Sequence, residues 1–181
     1  AGFVVVCEGF YDVVTPAHLG FENIVSTCGT ALTESQVSLL LSLTNKIVFC
    51  FDGDTAGTKA TWRSAELMIE KVADHHEVRF CTLPTGHDPD SMVRHHVVSR
   101  LQTLIEGAPT LSQYLVDVLV RGASLPEKKA VALLKAKSLQ RRISSPMLSS
   151  FFRQYVCERL GLTVDEYELL GPTETHIDPS F

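Results

Sequence analysis

Residues 46–51, Lys-Ile-Val-Phe-Cys-Phe, constrain this chain more than any other stretch. The run is β-branched and aromatic, too short for a typical helix and apolar on both faces, so it reads as the central strand of a parallel sheet. Ligands of such sheets collect just beyond the carboxyl ends of the strands. Here that position holds Asp52-Gly53-Asp54-Thr55-Ala56-Gly57. Gly53 lets the backbone turn sharply, and Gly57 allows close packing or close approach by a ligand. Asp52 and Asp54 can converge on one point, and nothing in the loop neutralises them. Alone, the loop is either a hard-cation site or an acidic turn.

The flanking chain supplies the rest of a sheet. Phe3 to Cys7 reads as a first buried strand, followed by Glu8-Gly9-Phe10-Tyr11-Asp12 and an apolar-periodic stretch to Leu19. Pro16 limits or kinks that helix and Gly20 ends it. A short second strand spans Asn23 to Thr27 and runs into Cys28-Gly29-Thr30-Ala31-Leu32-Thr33. Thr33 and Gln36 form a capping box for a helix from Glu34 to Leu43. After the central strand, a helix is expected over Thr55–Ala73, then a fourth strand over Glu77–Leu83 leading into Pro84-Thr85-Gly86-His87-Asp88-Pro89-Asp90. Alternating strands and helices predict an α/β fold: a parallel sheet of about four strands with right-handed crossovers.

The positions of the acids follow from that topology. Glu8 follows strand one, Asp52 and Asp54 follow strand three, and Asp88 and Asp90 follow strand four. In a parallel sheet these ends share one edge, so five carboxylates distant in sequence meet. Without a cation they repel, and several must stay protonated. Oxygen-only ligands favour Mg²⁺ or Mn²⁺.

From about Val97 the pattern is helical, with segments at 98–105, 110–120, 127–142, 147–160 and 163–170 punctuated by Pro109, Pro126 and Pro146. The expected organisation is a sheet domain over 1–96, a small helical bundle over 97–170, and a tail or linker over 171–181. Ala1 is not an initiator Met and the chain enters a strand at once, as expected of a fragment without a signal peptide. No apolar run approaches the ~20 residues of a membrane span. Five cysteines in odd number without a C-x-x-C pair fit reduced core thiols in the cytoplasm and give no zinc site.

Net charge is −5, from 16 basic and 21 acidic residues, which by itself argues against a nucleic-acid partner. Setting aside Glu8, Asp12, Asp52, Asp54, Asp88 and Asp90 leaves 16 against 15, so the acidity is concentrated where metal can neutralise it.

Carboxylates around Mg²⁺ at a parallel-sheet edge suit phosphoryl transfer. The pattern alone leaves several chemistries open. One is a phosphatase of the haloacid dehalogenase type, with Asp52 as nucleophile and Asp54 as acid. That class expects its acidic loop near the first core strand and leaves Glu8 unexplained. Others are a nuclease or topoisomerase site with Glu8 as general acid or base, and a non-catalytic metal-binding scaffold.

Four strings, taken in order and spacing, narrow this. Glu8-Gly9-Phe10-Tyr11-Asp12, Gly29-Thr30-Ala31-Leu32-Thr33, Phe51-Asp52-Gly53-Asp54-Thr55-Ala56-Gly57 and Asp88-Pro89-Asp90 closely resemble the TOPRIM domain of bacterial DNA primases of the DnaG type. The resemblance covers about residues 1–95, and the helical remainder is similar to what such primases carry next. It implies DNA-templated synthesis of RNA primers from ribonucleoside triphosphates, with a 3′-hydroxyl attacking an α-phosphate. It implies Mg²⁺ or Mn²⁺ held by Glu8, Asp52, Asp54, Asp88 and Asp90, with Glu8 a ligand or a base, Asp90 a ligand or a group that orients ligands, and Asp12 orienting the ligands. Glu8, Asp52 and Asp54 are the implied catalytic set, and single-stranded DNA template and RNA primer the implied partners. A replicative helicase would bind through a domain this stretch does not contain, and the zinc-binding domain and the basic part of the core that holds template and nucleotide phosphates are likewise expected outside it. The fragment alone is therefore expected to bind metal and make primers poorly. Gly29 and Thr30 are candidates to meet phosphate through backbone N–H groups, and Lys59 and Arg63 through side chains.

Other candidates have plainer readings. His75-His76 and His95-His96 read as surface residues at helix ends, and His87 as a solvated loop residue. Arg121, Lys128, Lys129, Lys135, Lys137, Arg141 and Arg142 tilt the helical part basic, as exposed helix faces ordinarily are. Trp62, Phe151, Phe152 and Tyr155 read as core.

Overall fold

A computed structural model describes residues 2–95 and 98–169. The expected tail over 171–181, with Ala1, His96, Val97 and Leu170, lies outside the described residues. The sheet has four strands, β1 (Val4–Cys7), β2 (Ile24–Ser26), β3 (Lys46–Phe51) and β4 (Glu77–Thr82), in the order β2-β1-β3-β4. All three pairings are parallel. β3 lies inside the sheet between β1 and β4, and every residue from Ile47 to Phe51 is buried, which is why its sequence carries no polar face.

Between the strands lie α1 (Tyr11–His18), α2 (Glu34–Leu43) and α3 (Thr55–Lys71), and after β4 come α4 (Pro89–His95) and α5 (Val98–Glu106). α2 opens with the expected capping box, Thr33 Oγ1 accepting from the Gln36 N–H and Gln36 Oε1 from the Thr33 N–H. α1 continues two residues beyond Pro16 to His18, and Gly20 leaves it at φ 91°.

Register partners in a parallel pair share a face, and the two faces have different fillings. Val5, Cys7, Val48, Cys50 and Cys81 form one core with Met92 and Val93 of α4 and Leu101 and Ile105 of α5. On the other, Phe49 stacks on Phe80 with ring centroids 5.1 Å apart, and α3 buries Ala65, Met68 and Ile69 while packing on β3 and β4. Truncating Phe49 to Ala would cost about 3–5 kcal/mol. Four cysteines are buried free thiols as expected, and Cys28 is exposed.

The chain divides into two compact units, Ala1–Leu111 and Ser112–Phe181. This boundary falls later than the expected 96/97. The reason is that α4 and α5 belong to the sheet unit: Leu101, Ile105 and Ala108 complete its core. Thr110 also forms an antiparallel bridge to Arg79, and Phe80 N–H donates to the Pro109 carbonyl.

The second unit contains α6 (Leu111–Val120, from Ser112), α7 (Pro126–Gln140), α8 (Pro146–Leu160) and α9 (Val164–Leu169). α7 packs on α8, and α8 on α9. Ser145 caps α8, and Gly161 ends it at φ 70°. Buried Tyr167 donates to Gln140 Oε1 at 2.6 Å, and Lys137 Nζ sits 4.5 Å over its ring. Lys137 is itself buried, so one of the basic side chains expected on solvated faces serves packing instead, whereas Lys129 is exposed as expected, with Nζ donating to the Leu160 carbonyl. Of the aromatics expected in the core, Phe152 is buried, Trp62 and Tyr155 half-buried, and Phe151 is 58% exposed. Among the described residues no helix is long and apolar enough to cross a membrane.

Candidate metal centre

The carboxyl ends of β1, β3 and β4 lie at one edge because the strands are parallel neighbours, and three loops leave that edge carrying acids. The β3 and β4 loops are pressed together: the Gly53 N–H donates to the His87 carbonyl at 2.8 Å. A Cβ on Gly53 would lie 2.2 Å from the Pro84 carbonyl oxygen, so only glycine fits there without moving backbone. Gly57 is equally tight, its Cβ position 2.2 Å from the Asp52 carbonyl oxygen. The two glycines thus seat the start of α3 against Asp52.

Two acids begin helices. Asp54 is the N-cap of α3, with Oδ1 accepting from the Gly57 N–H at 2.7 Å. Asp88 stands one residue ahead of α4, with Oδ1 accepting from the Ser91 N–H at 2.6 Å. Each side chain is oriented by one oxygen. Asp12, only 6% exposed, bridges two loops instead: Oδ2 accepts from the Gly9 N–H at 2.8 Å and Oδ1 from the Asp90 N–H at 3.4 Å.

Glu8 and Asp52 differ from these. Glu8 Oε1 and Asp52 Oδ1 are buried oxygens without a hydrogen-bond partner. Burial first, then Asp12, Glu8, Asp88 and Asp54, push the Asp52 carboxyl up to about 7. Burial also raises Glu8, partly offset by the Asp52 N–H, with Asp54 and Asp12 adding to the rise. Asp12 is raised by burial, against the Gly9 N–H, with Asp88 and Asp90 contributing. The acids of all three loops therefore feel one another, as the sheet topology requires. Among the described residues, no three His, Cys, Asp or Glu side chains are drawn together as a finished metal cage. The orphaned oxygens and unrelieved repulsion are nonetheless what an oxygen-liganded divalent cation would satisfy.

Asp90 stands apart. Arg94, one turn along α4, meets both its oxygens at 2.8 Å, so it already has a counter-charge.

A family model described as Toprim-like matches residues 5–93. A DNA primase of Neisseria meningitidis serogroup A is 35% identical over 175 residues, 94% of this chain and 30% of the relative. A DNA primase domain from Pseudomonas aeruginosa superposes with TM-score 0.85 at 35% identity, over 94% of this chain and 54% of that one. A DnaG primase catalytic domain bound to ssDNA superposes with TM-score 0.82 at 32% identity, over 90% of this chain and 52% of that one. Residues 5–93 are thus Toprim-like, and over 94% of its length the chain is similar to bacterial DNA primases of the DnaG type. It spans less than a third of its Neisseria relative and about half of each DnaG-type core structure.

The other primase candidates fall as follows. The Gly29 N–H donates to the Glu8 carbonyl at 2.8 Å and the Thr30 N–H to the Thr27 carbonyl at 3.4 Å, so both N–H groups have backbone acceptors. Their visible role is to tie the β2–α2 loop to Glu8, with Cys28 and Gly29 in succession at positive φ. Lys59 and Arg63 are exposed on α3. His76 bonds backbone through both ring nitrogens, Nδ1 with the Ala73 N–H and Nε2 with the Leu41 carbonyl, a structural role rather than a free surface one. Two residues in contact with these acids escaped sequence reasoning, Ser91 with Asp88 and Arg94 with Asp90. The signals were there: Asp88 with Ser91 has capping-box spacing, and Asp90 with Arg94 has i, i+4 spacing.

Proposed function

We propose that this chain is the metal-holding catalytic part of a DNA primase, acting in the cytoplasm in DNA-templated synthesis of RNA primers from ribonucleoside triphosphates. The observation that carries the reading is the pair of orphaned buried oxygens, Glu8 Oε1 and Asp52 Oδ1, among carboxylates from three strand ends. Glu8, Asp52, Asp54 and Asp88 would hold Mg²⁺ or Mn²⁺, and Asp90, paired with Arg94, would orient the α4 end of the site. When bound, the cation neutralises these acids, polarises phosphate oxygens and lowers the pKa of an attacking hydroxyl.

The residues of the chain do the rest. Asp54 and Asp88 present one oxygen each while the other is fixed at a helix start, which limits reorganisation on binding. Asp12 keeps Glu8 and Asp88 in register. Asp52 and Glu8, raised by their surroundings, ionise on neutralisation of the site, and Glu8 is positioned to accept a proton at a carboxylate oxygen. Single-stranded DNA is the proposed template, consistent with the ssDNA-bound DnaG catalytic domain the chain resembles. A replicative helicase is the proposed partner of the whole primase.

Substituting Asp52 by Ala in the complete protein should abolish primer synthesis on a single-stranded template. Undiminished synthesis would overturn the assignment. Calorimetric titration with Mn²⁺ tests the metal premise separately.

A further inference from the structure

Ser91 grips Asp88 through three polar atoms. The Asp88 N–H donates to Ser91 Oγ at 3.0 Å, Oγ–H donates to the Asp88 carbonyl at 3.1 Å, and the Ser91 N–H donates to Asp88 Oδ1 at 2.6 Å. His87 Nδ1 lies 3.3 Å from the same hydroxyl. A serine hydroxyl has one donor and two acceptor positions. Donating to the Asp88 carbonyl, it accepts from the Asp88 N–H and, in the Nδ1–H tautomer, from His87, so its capacity is filled. The His87 carbonyl in turn accepts from Gly53. The serine therefore sits at the join between the β4 loop and the turn that carries Asp52 and Asp54.

An aspartate free of such contacts samples its staggered rotamers. Here the Ser91 backbone N–H anchors Oδ1, while the Ser91 hydroxyl holds the Asp88 backbone at both its N–H and its carbonyl, so the hydroxyl fixes the stem from which the carboxylate, with Oδ2 unanchored, is presented. We propose that Ser91 is a positioning residue of the metal centre, whose hydroxyl locks Asp88 on the loop that His87 fastens to Gly53. The proposal rests on the reading of Asp88 as a ligand to a divalent cation. A helix cap alone would stabilise α4 and leave cation affinity untouched. A positioning residue acts on affinity, and acts through Asp88.

The test is calorimetric titration of the protein with Mn²⁺, with metal-free thermal unfolding measured beside it. Ser91→Ala should weaken Mn²⁺ binding about tenfold, in the range seen when groups orienting a metal ligand are removed. Ser91→Thr, which keeps the hydroxyl, should bind close to the unaltered protein. Ser91→Cys, similar in size but poorer at hydrogen bonding, should lose affinity even where the alanine variant folds badly. In a cycle with Asp88→Asn, the serine change should add little further loss. Unaltered affinity in both Ser91→Ala and Ser91→Cys, while Asp52→Ala loses binding, would overturn the positioning role and leave the metal reading standing. So would an equal loss in the Asp88→Asn background. Absence of Mn²⁺ binding by the unaltered protein would overturn the metal reading and this proposal with it.

Discussion

Asp12 and Asp90 are 78 residues apart in sequence and joined directly, the backbone N–H of Asp90 donating to Asp12 Oδ1 while Oδ2 holds the Gly9 N–H. One buried carboxylate thus clasps the loop after β1 to the start of α4. Asp12→Ala leaves both N–H groups without their acceptor. It should destabilise the protein by about 1–3 kcal/mol and lower primer synthesis more than the stability loss explains. Chemical denaturation and primer assays on the same preparations check both.

Asp54 separates stability from chemistry. As an N-cap its exchange for Asn or Ser should cost only tenths of a kcal/mol, whereas Ala should cost about 1 kcal/mol. All three remove the carboxylate. Thermal unfolding should therefore rank Asn and Ser above Ala, and primer synthesis should be lost in all.

The pH dependence of the metal-free protein follows from Asp52. Unfolded, it ionises near its ordinary 3.8; folded, near 7. Between those values the native state holds a proton that the unfolded chain has released. Stability is therefore full below about pH 4 and falls as pH rises through 7. Glu8 and Asp12 are shifted in the same direction. Thermal melts at constant ionic strength should show the midpoint falling over this window, with Asp52→Asn flattening the slope. Mn²⁺ at pH 7 should restore the midpoint in the unaltered protein and much less in that variant.

Gly53→Ala sets a Cβ against two backbone carbonyls, at 2.2 and 2.8 Å. No rotamer change relieves such a contact, so the cost should reach or exceed the ~1–3 kcal/mol of ordinary overpacking. Gly9→Ala meets only the Asp12 side chain, at 2.9 Å. Denaturant midpoints should place Gly53→Ala well below Gly9→Ala.

The sheet was legible in the sequence because its signals are local. The apolar run of β3 and the capping box of α2 appear where expected, and parallel order made the meeting of Glu8, Asp52 and Asp88 a matter of topology. What was not legible depends on partners far along the chain. α4 is absent from the sequence reading because Pro89 looks like loop punctuation, and its place is fixed by Met92 and Val93 entering the core beside Val5 and Val48. The unit boundary moved for the same reason, since nothing near 96 announces that Leu101 and Ile105 will complete the sheet. The partners of the Gly29 and Thr30 N–H groups, the carbonyls of Glu8 and Thr27, were not legible either, because they are set by the fold. Phe151 carries an apolar side chain, yet hydrophobicity does not say which face of α8 meets a neighbour.

The clasp between Gly53 and His87 also bears on how the protein is made. Ribosomes deliver the chain from its amino end, so Glu8 emerges long before the residues that complete its neighbourhood. Until synthesis has passed Asp88, the turn at Gly53 lacks its acceptor and the set of acids is incomplete. The last-made loop is therefore the one that brings Asp88 near Asp52 and supplies the carbonyl that Gly53 meets.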